Sequence, residues 1–385
     1  MPITIEYLSM KATEYFTGGC RGHRANRIRT ISKIAALAML ISQTAGAQQV
    51  APVSPDKPRN VIIFVADGLG FAQLSLAMHR HAEQGTWERF NATGWHKPHP
   101  HPRDGYITDS AASATALATG VDTLNGSIGV DETGKGVGNI FELATARGFR
   151  TGVVTDSYVW DATPAGFTVH AESRDDASVI LYALSESPLD VLLGELKNPG
   201  EGSIPDRRFT EKLFNKRFSQ LDSTASNAGS FAGKPIVALL EKGQVGDRDS
   251  APSLMHLTSV ALNALASYDE PFLLLIETEE LDSAGHRKKE KRMRRGLDAM
   301  RDAVAVVFEF LEQHPDTLFV FTSDHETGGL ALRGNSDNDE VKPKFYSFKH
   351  TGSVVPVMAI GPGESKFNGI HTNEGLGRLL KSLIN

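Results

Sequence analysis

Cysteine is almost absent. The 385 residues include one, Cys20, which lies ahead of residue 48. A mature chain beginning after that leader has no thiol and no disulfide, so it tolerates an oxidising compartment without depending on it. Long apolar runs are missing after residue 50, and the mean hydropathy is -0.22. Both argue against a membrane-spanning chain. Positive charge is scarce as well: 40 Lys and Arg face 46 Asp and Glu, for a formal charge of -6. Internal repeats and coiled-coil heptads are lacking too. What remains is globular composition, 40% hydrophobic and 22% charged, with length for a large core.

The first 47 residues read differently. Arg21, Arg24, Arg27, Arg29 and Lys33 precede the apolar run "IAALAMLIS", and Ala45 and Ala47 then stand as an A-x-A cleavage site. The pattern predicts a signal peptide over residues 1–47 with a long charged lead-in, and hence a periplasmic or secreted protein. Loss of its six Lys/Arg and two Glu takes the formal charge from -6 to about -10. So acidic a surface predicts no nucleic-acid partner, and the mature chain would carry no membrane anchor. Residues 48–58 are Pro-rich and read as a loose tail, leaving 59–385 as a single catalytic domain.

Short β-rich runs then alternate with helical patterns. "NVIIFVAD", "RTGVVTD", "PFLLLIET", "TLFVFTSD" and "VPVMAIGP" are nearly continuous apolar strands, as expected where helices cover both sheet faces. The fold class is therefore α/β: a doubly wound, mostly parallel central sheet flanked by helices. Asp67, Asp156, Glu277 and Asp324 sit at or just past strand ends, where such sheets collect their ligands. Residues 195–250 are more polar and less periodic, and read as an insertion forming a solvated surface excursion.

Four stretches carry groups that bind metals. "VADGLG" supplies Asp67, "ETEELDSAGH" supplies Glu277, Asp282 and His286, "TSDHETGG" supplies Asp324 and His325, and "FKHTG" supplies His350. Asp282 and His286 are four apart, so a helical turn puts them on one face. Carboxylate with imidazole suits zinc, whereas an all-oxygen set suits magnesium. Ahead of most of these lies "TDSAASATALATG", a helix start of small residues with Asp109 and Ser110 at its front.

The joint pattern resembles the alkaline phosphatase family. "TDSAASATALATGVDTLNGSIGVD" carries the family's hallmark, and the likeness runs on through "DATPAGFTVHAESR", "IETEELDSAGH", "TSDHETGG" and "HTGSVVPVMAIGPG", from about residue 58 onward. The resemblance implies a phosphate-monoester hydrolase with Ser110 as the nucleophile that becomes phosphoserine. It implies two zinc ions, one on Asp282, His286 and His350 and one on Asp67, Asp324 and His325. It implies one magnesium on Asp67, Thr163 and Glu277, with Asp161 in reach through water, and Arg174 as the phosphate clamp. Asp109 would orient Arg174, cap its helix, or both. The small residues would let the backbone at the helix start approach the phosphate.

Some positions depart from the family. Ser283 stands where relatives carry lysine, histidine or tryptophan, which predicts looser phosphate binding. Glu279 and Glu280 replace small residues and read as surface charges. The short link between His325 and His350 implies a reduced crown, compatible with a monomer or a homodimer. His170 reads as a packing residue, and His96, His99 and His101 in "WHKPHPHP" as members of an extended, exposed loop. A phosphodiesterase or sulfatase of the same superfamily is the alternative. Ser110 lacks the following arginine context of sulfatases, and Thr163, Glu277 and Arg174 together favour monoesters over diesters. A non-catalytic phosphate-binding or metal-storing protein would require broken ligands, and none is broken.

Overall fold

A computed structural model describes residues 56–196, 206–221, 234–245, 252–334 and 341–384. Its strands are β1 (Asn60–Ala66), β2 (Ala92–Lys97), β3 (Arg150–Tyr158), β4 (Val191–Leu196), β5 (Ser219–Gln220), β6 (Ile236–Glu241), β7 (Phe272–Thr278), β8 (Thr317–Thr322), β9 (Glu326–Thr327), β10 (Leu330–Gly334), β11 (Val341–Phe345), β12 (His350–Thr351), β13 (Val355–Ile360) and β14 (Gly369–Thr372). Its α-helices are α1 (Phe71–Arg80), α2 (Ser110–Thr119), α3 (Ile140–Ala146), α4 (Ala162–Thr168), α5 (Ala177–Glu186), α6 (Arg207–Phe214), α7 (Leu254–Ala266), α8 (Glu280–His286), α9 (Glu290–Gln313) and α10 (Asn373–Ile384).

Ten strands form one sheet in the order β14-β2-β13-β8-β1-β7-β3-β4-β6-β5. Neighbours are parallel except around β13, which runs antiparallel to both β2 and β8. Every residue of β1, β4, β7 and β8 is buried, which is why these runs are apolar without alternation. Strand pleating still sorts them. Val61, Ile63 and Val65 face the core shared with α2, α4, α5 and α10, while Ile62, Phe64 and Ala66 face α1, α7 and α9. On the second face Phe90, Phe308, Phe319 and Phe321 pack ring against ring, with centroids 5.1–6.1 Å apart around Phe90.

The sheet order places the site. β8, β1, β7 and β3 are consecutive neighbours, so the acids at their carboxyl ends, Asp324, Asp67, Glu277 and Asp156, fall along one edge of the sheet.

Helix α2 is buried on all sides: each of its ten residues is inaccessible. A Cβ on Gly377 of α10 would lie 2.0 Å from the Ala116 carbonyl, and one on Gly166 of α4 would lie 2.8 Å from the Ala114 Cβ. The run "SAASATALAT" is small because two helices press on it, a packing reason separate from any approach to phosphate. Asp109 caps the helix, accepting from the Ala112 N–H at 2.9 Å, and Gly120 ends it in the left-handed region at φ 77°.

Part of the segment read as an insertion belongs to the sheet. Within 195–250, β6 lies parallel to β4 and β5 beside β6, and Ile236–Leu240 are buried. Polar stretches on both sides hid a core strand; residues 197–205, 222–233 and 246–250 lie outside the described ones. Between His325 and His350 the chain makes the antiparallel hairpin β10–β11. Among the described residues no helix is long and apolar enough to cross a membrane.

Candidate active site

Asp67 follows β1, and its backbone N–H donates to the Thr278 carbonyl of β7 at 2.9 Å. Gly68 comes next with φ 79°, and a Cβ there would stand 2.7 Å from the Asp282 Cα. This turn brings the β1 end against α8, so a glycine is required. Asp324 lies just past β8. Its Oδ1 accepts from the N–H groups of Gly68 (3.2 Å) and His325 (2.8 Å). Asp67 Oδ1 and Asp324 Oδ2 are sealed from solvent with no hydrogen-bond partner.

Three imidazoles close over these acids. The Nδ1–H of His286 donates to the Phe348 carbonyl at 2.6 Å, and that of His350 to the Thr108 carbonyl at 2.9 Å. A carbonyl only accepts, so both rings carry a proton on Nδ1 and turn Nε2 toward the acids. Those two Nε2 atoms lie 3.1 Å apart. Neutral rings would meet there lone pair to lone pair, which a proton or a metal ion between them relieves. The third ring, His325, stacks on His350 with centroids 3.6 Å apart. Its Nδ1 meets the Thr327 hydroxyl at 3.2 Å, and its Nε2 lies 3.1 Å from Ser110 Oγ, 3.2 Å from Asp324 Oδ2 and 3.6 Å from Asp67 Oδ1.

Ligand atoms of Asp282, His286 and His350 lie within 4.8 Å of one another, and so do those of Asp67, Asp282 and His325. The Asp282 carboxylate is 3.3 Å from His286 and 3.5 Å from His350, and it accepts from the Thr327 hydroxyl. The grouping by distance thus makes Asp282 common to both sets, with Asp324 beside the second.

The electrostatics call for a cation. Burial, followed by the charges of Asp324, Asp282 and Glu277, pushes the Asp67 carboxyl well above the usual range. Burial and Asp282 push Asp324 up to about 7. Burial raises Glu277 strongly, with Asp156 and Asp161 adding to it. Burial, His350 and Arg174 keep His325 neutral. Acids this deep ionise only against a compensating positive charge.

The neighbouring pocket offers oxygen. Thr163 lies in α4 with its hydroxyl buried and unpartnered. Glu277 of β7 accepts from the Thr155 hydroxyl. Asp161 caps α4 through the Ala162 N–H at 2.8 Å and accepts from Ser157 Oγ at 2.7 Å. Arg174 reaches both Asp109 and Asp161 at 3.2 Å. Burial works against its charge, and the two acids sustain it above its ordinary value. Asp109 therefore caps α2 with one oxygen and holds Arg174 with the other.

Sequence reasoning missed several partners. Thr327, one residue beyond "TSDHE", bonds both Asp282 and His325. Asp156 accepts from Thr278 and the Glu279 N–H, and burial raises it to about 7. Glu279 is not a bland surface charge. It is partly buried, accepts from Ser283 Oγ at 2.6 Å, and is raised well above the usual range by burial, Asp161 and Asp282. Glu280 pairs with Arg292. His96 is not on an exposed loop. It is buried in β2 and donates from Nε2 to the Ser323 carbonyl at 2.8 Å, and burial lowers it to about 4. His170 bridges the Gly129 carbonyl and Glu142.

A family model for alkaline phosphatase matches residues 58–198 and 219–344. The chain belongs to the alkaline phosphatase family. It is similar to alkaline phosphatase 4 of Bacillus subtilis strain 168, at 30% identity over 93% of this chain and 97% of the relative. It also resembles the solved alkaline phosphatase of the Antarctic bacterium TAB5, with a TM-score of 0.75 and 26% identity over 86% of this chain and 98% of the other. A variant of that Antarctic enzyme, solved with magnesium bound, superposes with a TM-score of 0.74 at 26% identity, again over 86% of this chain and 98% of the other. As an alkaline phosphatase, the chain is a phosphomonoesterase whose substrates are small phosphate monoesters.

Proposed function

We propose that this alkaline phosphatase works through a covalent phosphoserine on Ser110 with two zinc ions and one magnesium, and that residues 1–47 direct it to the periplasm or outside the cell. The observation that carries the reading is the convergence of three imidazoles and three buried acids, with the Ser110 hydroxyl 3.1 Å from one of those rings, His325. Asp282, His286 and His350 would hold one zinc, and Asp67, Asp324 and His325 the other. Asp67, Thr163 and Glu277 would hold magnesium, with Asp161 at its edge. The donor chemistry fits: imidazole with carboxylate on one side and oxygen alone on the other, with orphaned atoms on Asp67, Asp324 and Thr163. Bound there, the metals supply Lewis acidity that lowers the pKa of a coordinated hydroxyl and offsets charge on the reacting oxygens.

The chain's own groups do the rest. Ser110 Oγ attacks phosphorus, the ester oxygen leaves with a proton, and water then cleaves the phosphoserine to release phosphate and restore the hydroxyl. Ser110 opens α2, so the helix N-terminus faces the anion. Arg174 offers a planar fork to two phosphoryl oxygens, which a lysine cannot match. Asp109 and Asp161 hold that fork, so Arg174 is aimed before substrate arrives.

Phosphate release from an aryl monoester and an aryl diester, with and without chelator, tests the reading together with elemental analysis. Monoester preference lost on chelation, with zinc near two and magnesium near one per chain, is expected. Full activity of Ser110→Ala would refute the covalent route.

A further inference from the structure

His99 and two acids from distant segments form a second group of metal-ligating side chains. His99 lies in the loop after β2, Asp122 two residues beyond Gly120 at the end of α2, and Glu374 in the first turn of α10. Their ligand atoms lie within 4.8 Å of one another. His99 Nδ1 is 3.7 Å from Asp122 Oδ2 and 3.2 Å from the Pro100 carbonyl, and Nε2 is 3.4 Å from Glu374 Oε2. Asp122 Oδ1 and Glu374 Oε2 are sealed from solvent with no hydrogen-bond partner. The other Glu374 oxygen is occupied, by the Thr372 hydroxyl at 2.7 Å and Arg378 at 3.4 Å.

A plain ion pair explains this poorly. Neither His99 contact, at 3.4 and 3.7 Å, gives the two sealed carboxylate oxygens a short hydrogen bond, although Arg378 beside the other Glu374 oxygen offsets part of the negative charge. Two ligands of a tetrahedral ion at bond lengths of about 2.1 Å stand about 3.4 Å apart. His99 Nε2 and Glu374 Oε2 stand at that spacing, and one ligand atom from each of His99, Asp122 and Glu374 falls within 4.8 Å of the others. An imidazole among two carboxylates, with solvent for a fourth position, suits zinc or a similar transition ion better than magnesium or calcium.

We propose that His99, Asp122 and Glu374 bind a divalent transition-metal ion, with zinc chemistry, that staples the far end of α2 to α10 and the β2 loop. The group shares no residue with the catalytic sets. Arg378 already ties α10 to the Gly120 carbonyl at 3.1 Å, and the ion adds a second clasp at the same place.

The test counts zinc bound per full-length chain after dialysis against buffered zinc, for wild type and for Glu374→Gln, His99→Gln and Asp122→Asn. Each variant should hold one fewer zinc, with kcat on an aryl monoester within about two-fold of wild type and a smaller rise of Tm on zinc addition. Equal zinc content in wild type and variants overturns the proposal and leaves His99 as a counter-ion. A measurement on the unmutated protein guards against misfolded variants: histidine acylation read by mass spectrometry, with and without zinc. Zinc should protect His99 while leaving the exposed His79 reactive; equal acylation of His99 in both states overturns the proposal as well.

Discussion

His286 and His350 are aimed by backbone carbonyls, those of Phe348 and Thr108, whereas Asp161 and Glu277 are aimed by side-chain hydroxyls, those of Ser157 and Thr155. The histidine half of the site thus depends on the path of loops far apart in sequence. The oxygen half draws most of its parts from one run, residues 155–163, beside β7. A carbonyl cannot be deleted by substitution, so the first half is robust to change at its supporting residues. The second half can be loosened one hydroxyl at a time.

Substitutions should expose that contrast. Ser110→Ala removes the group both halves serve and should cost on the order of 10³-fold or more in kcat/KM with metal content unchanged, by analogy with loss of a serine nucleophile elsewhere. His286→Ala should lose one zinc per chain and on the order of 10²-fold in kcat, since it deletes a ligand rather than its support. Ser157→Ala and Thr155→Val should weaken magnesium binding by roughly 10-fold while zinc stays in place. If zinc fell in parallel, the two halves would be one coupled unit and the contrast would fail.

Metal removal gives a further contrast through pH. Folding raises Asp324 and Asp156 to about 7 and Asp67 and Glu277 well above the usual carboxylate range. A raised folded value stabilises below the unfolded one and is lost as pH climbs through the folded one. His325 is lowered in the fold, and its influence ends above the ordinary histidine range near 6.5. Four raised acids outweigh one lowered imidazole, so the chelated protein should lose Tm as pH climbs from about 4 to about 7, where Asp324 and Asp156 keep protons that the unfolded chain has released, and the metal-loaded protein should not. A flat Tm in chelator would show that the acids are compensated by the chain itself.

The smallest effect concerns Ser283. Its hydroxyl is tied to Glu279 at 2.6 Å and brings no positive charge. Ser283→Lys should strengthen inhibition by inorganic phosphate several-fold, and unchanged inhibition would sink the reading.

The five strands read from the sequence are buried over most of their length on both faces, and their apolar runs stand out from their surroundings. β4 and β6 are equally buried but escaped notice because polar stretches flank them. The ligand-type residues were legible through spacing, as with Asp282 and His286 on one turn of α8. The carbonyls that orient the histidines were not, because a backbone group has no letter of its own. Glu279 was misjudged because Asp161, which crowds it together with the neighbouring Asp282, comes from a distant segment. His96 was misjudged because β2 alternates, hiding the imidazole and exposing Trp95.

The central position of β1 has a consequence in time. Val61 pairs with Leu273 on one side and with Leu318 on the other. Both partners lie more than two hundred residues later in the chain. A folding chain must therefore keep an apolar strand with two open edges out of trouble until β7 and β8 arrive, and such long-range pairing is slow and exposed to aggregation. Refolding yield should fall steeply with protein concentration, and metal added before β1 has docked would find its ligands scattered along the chain.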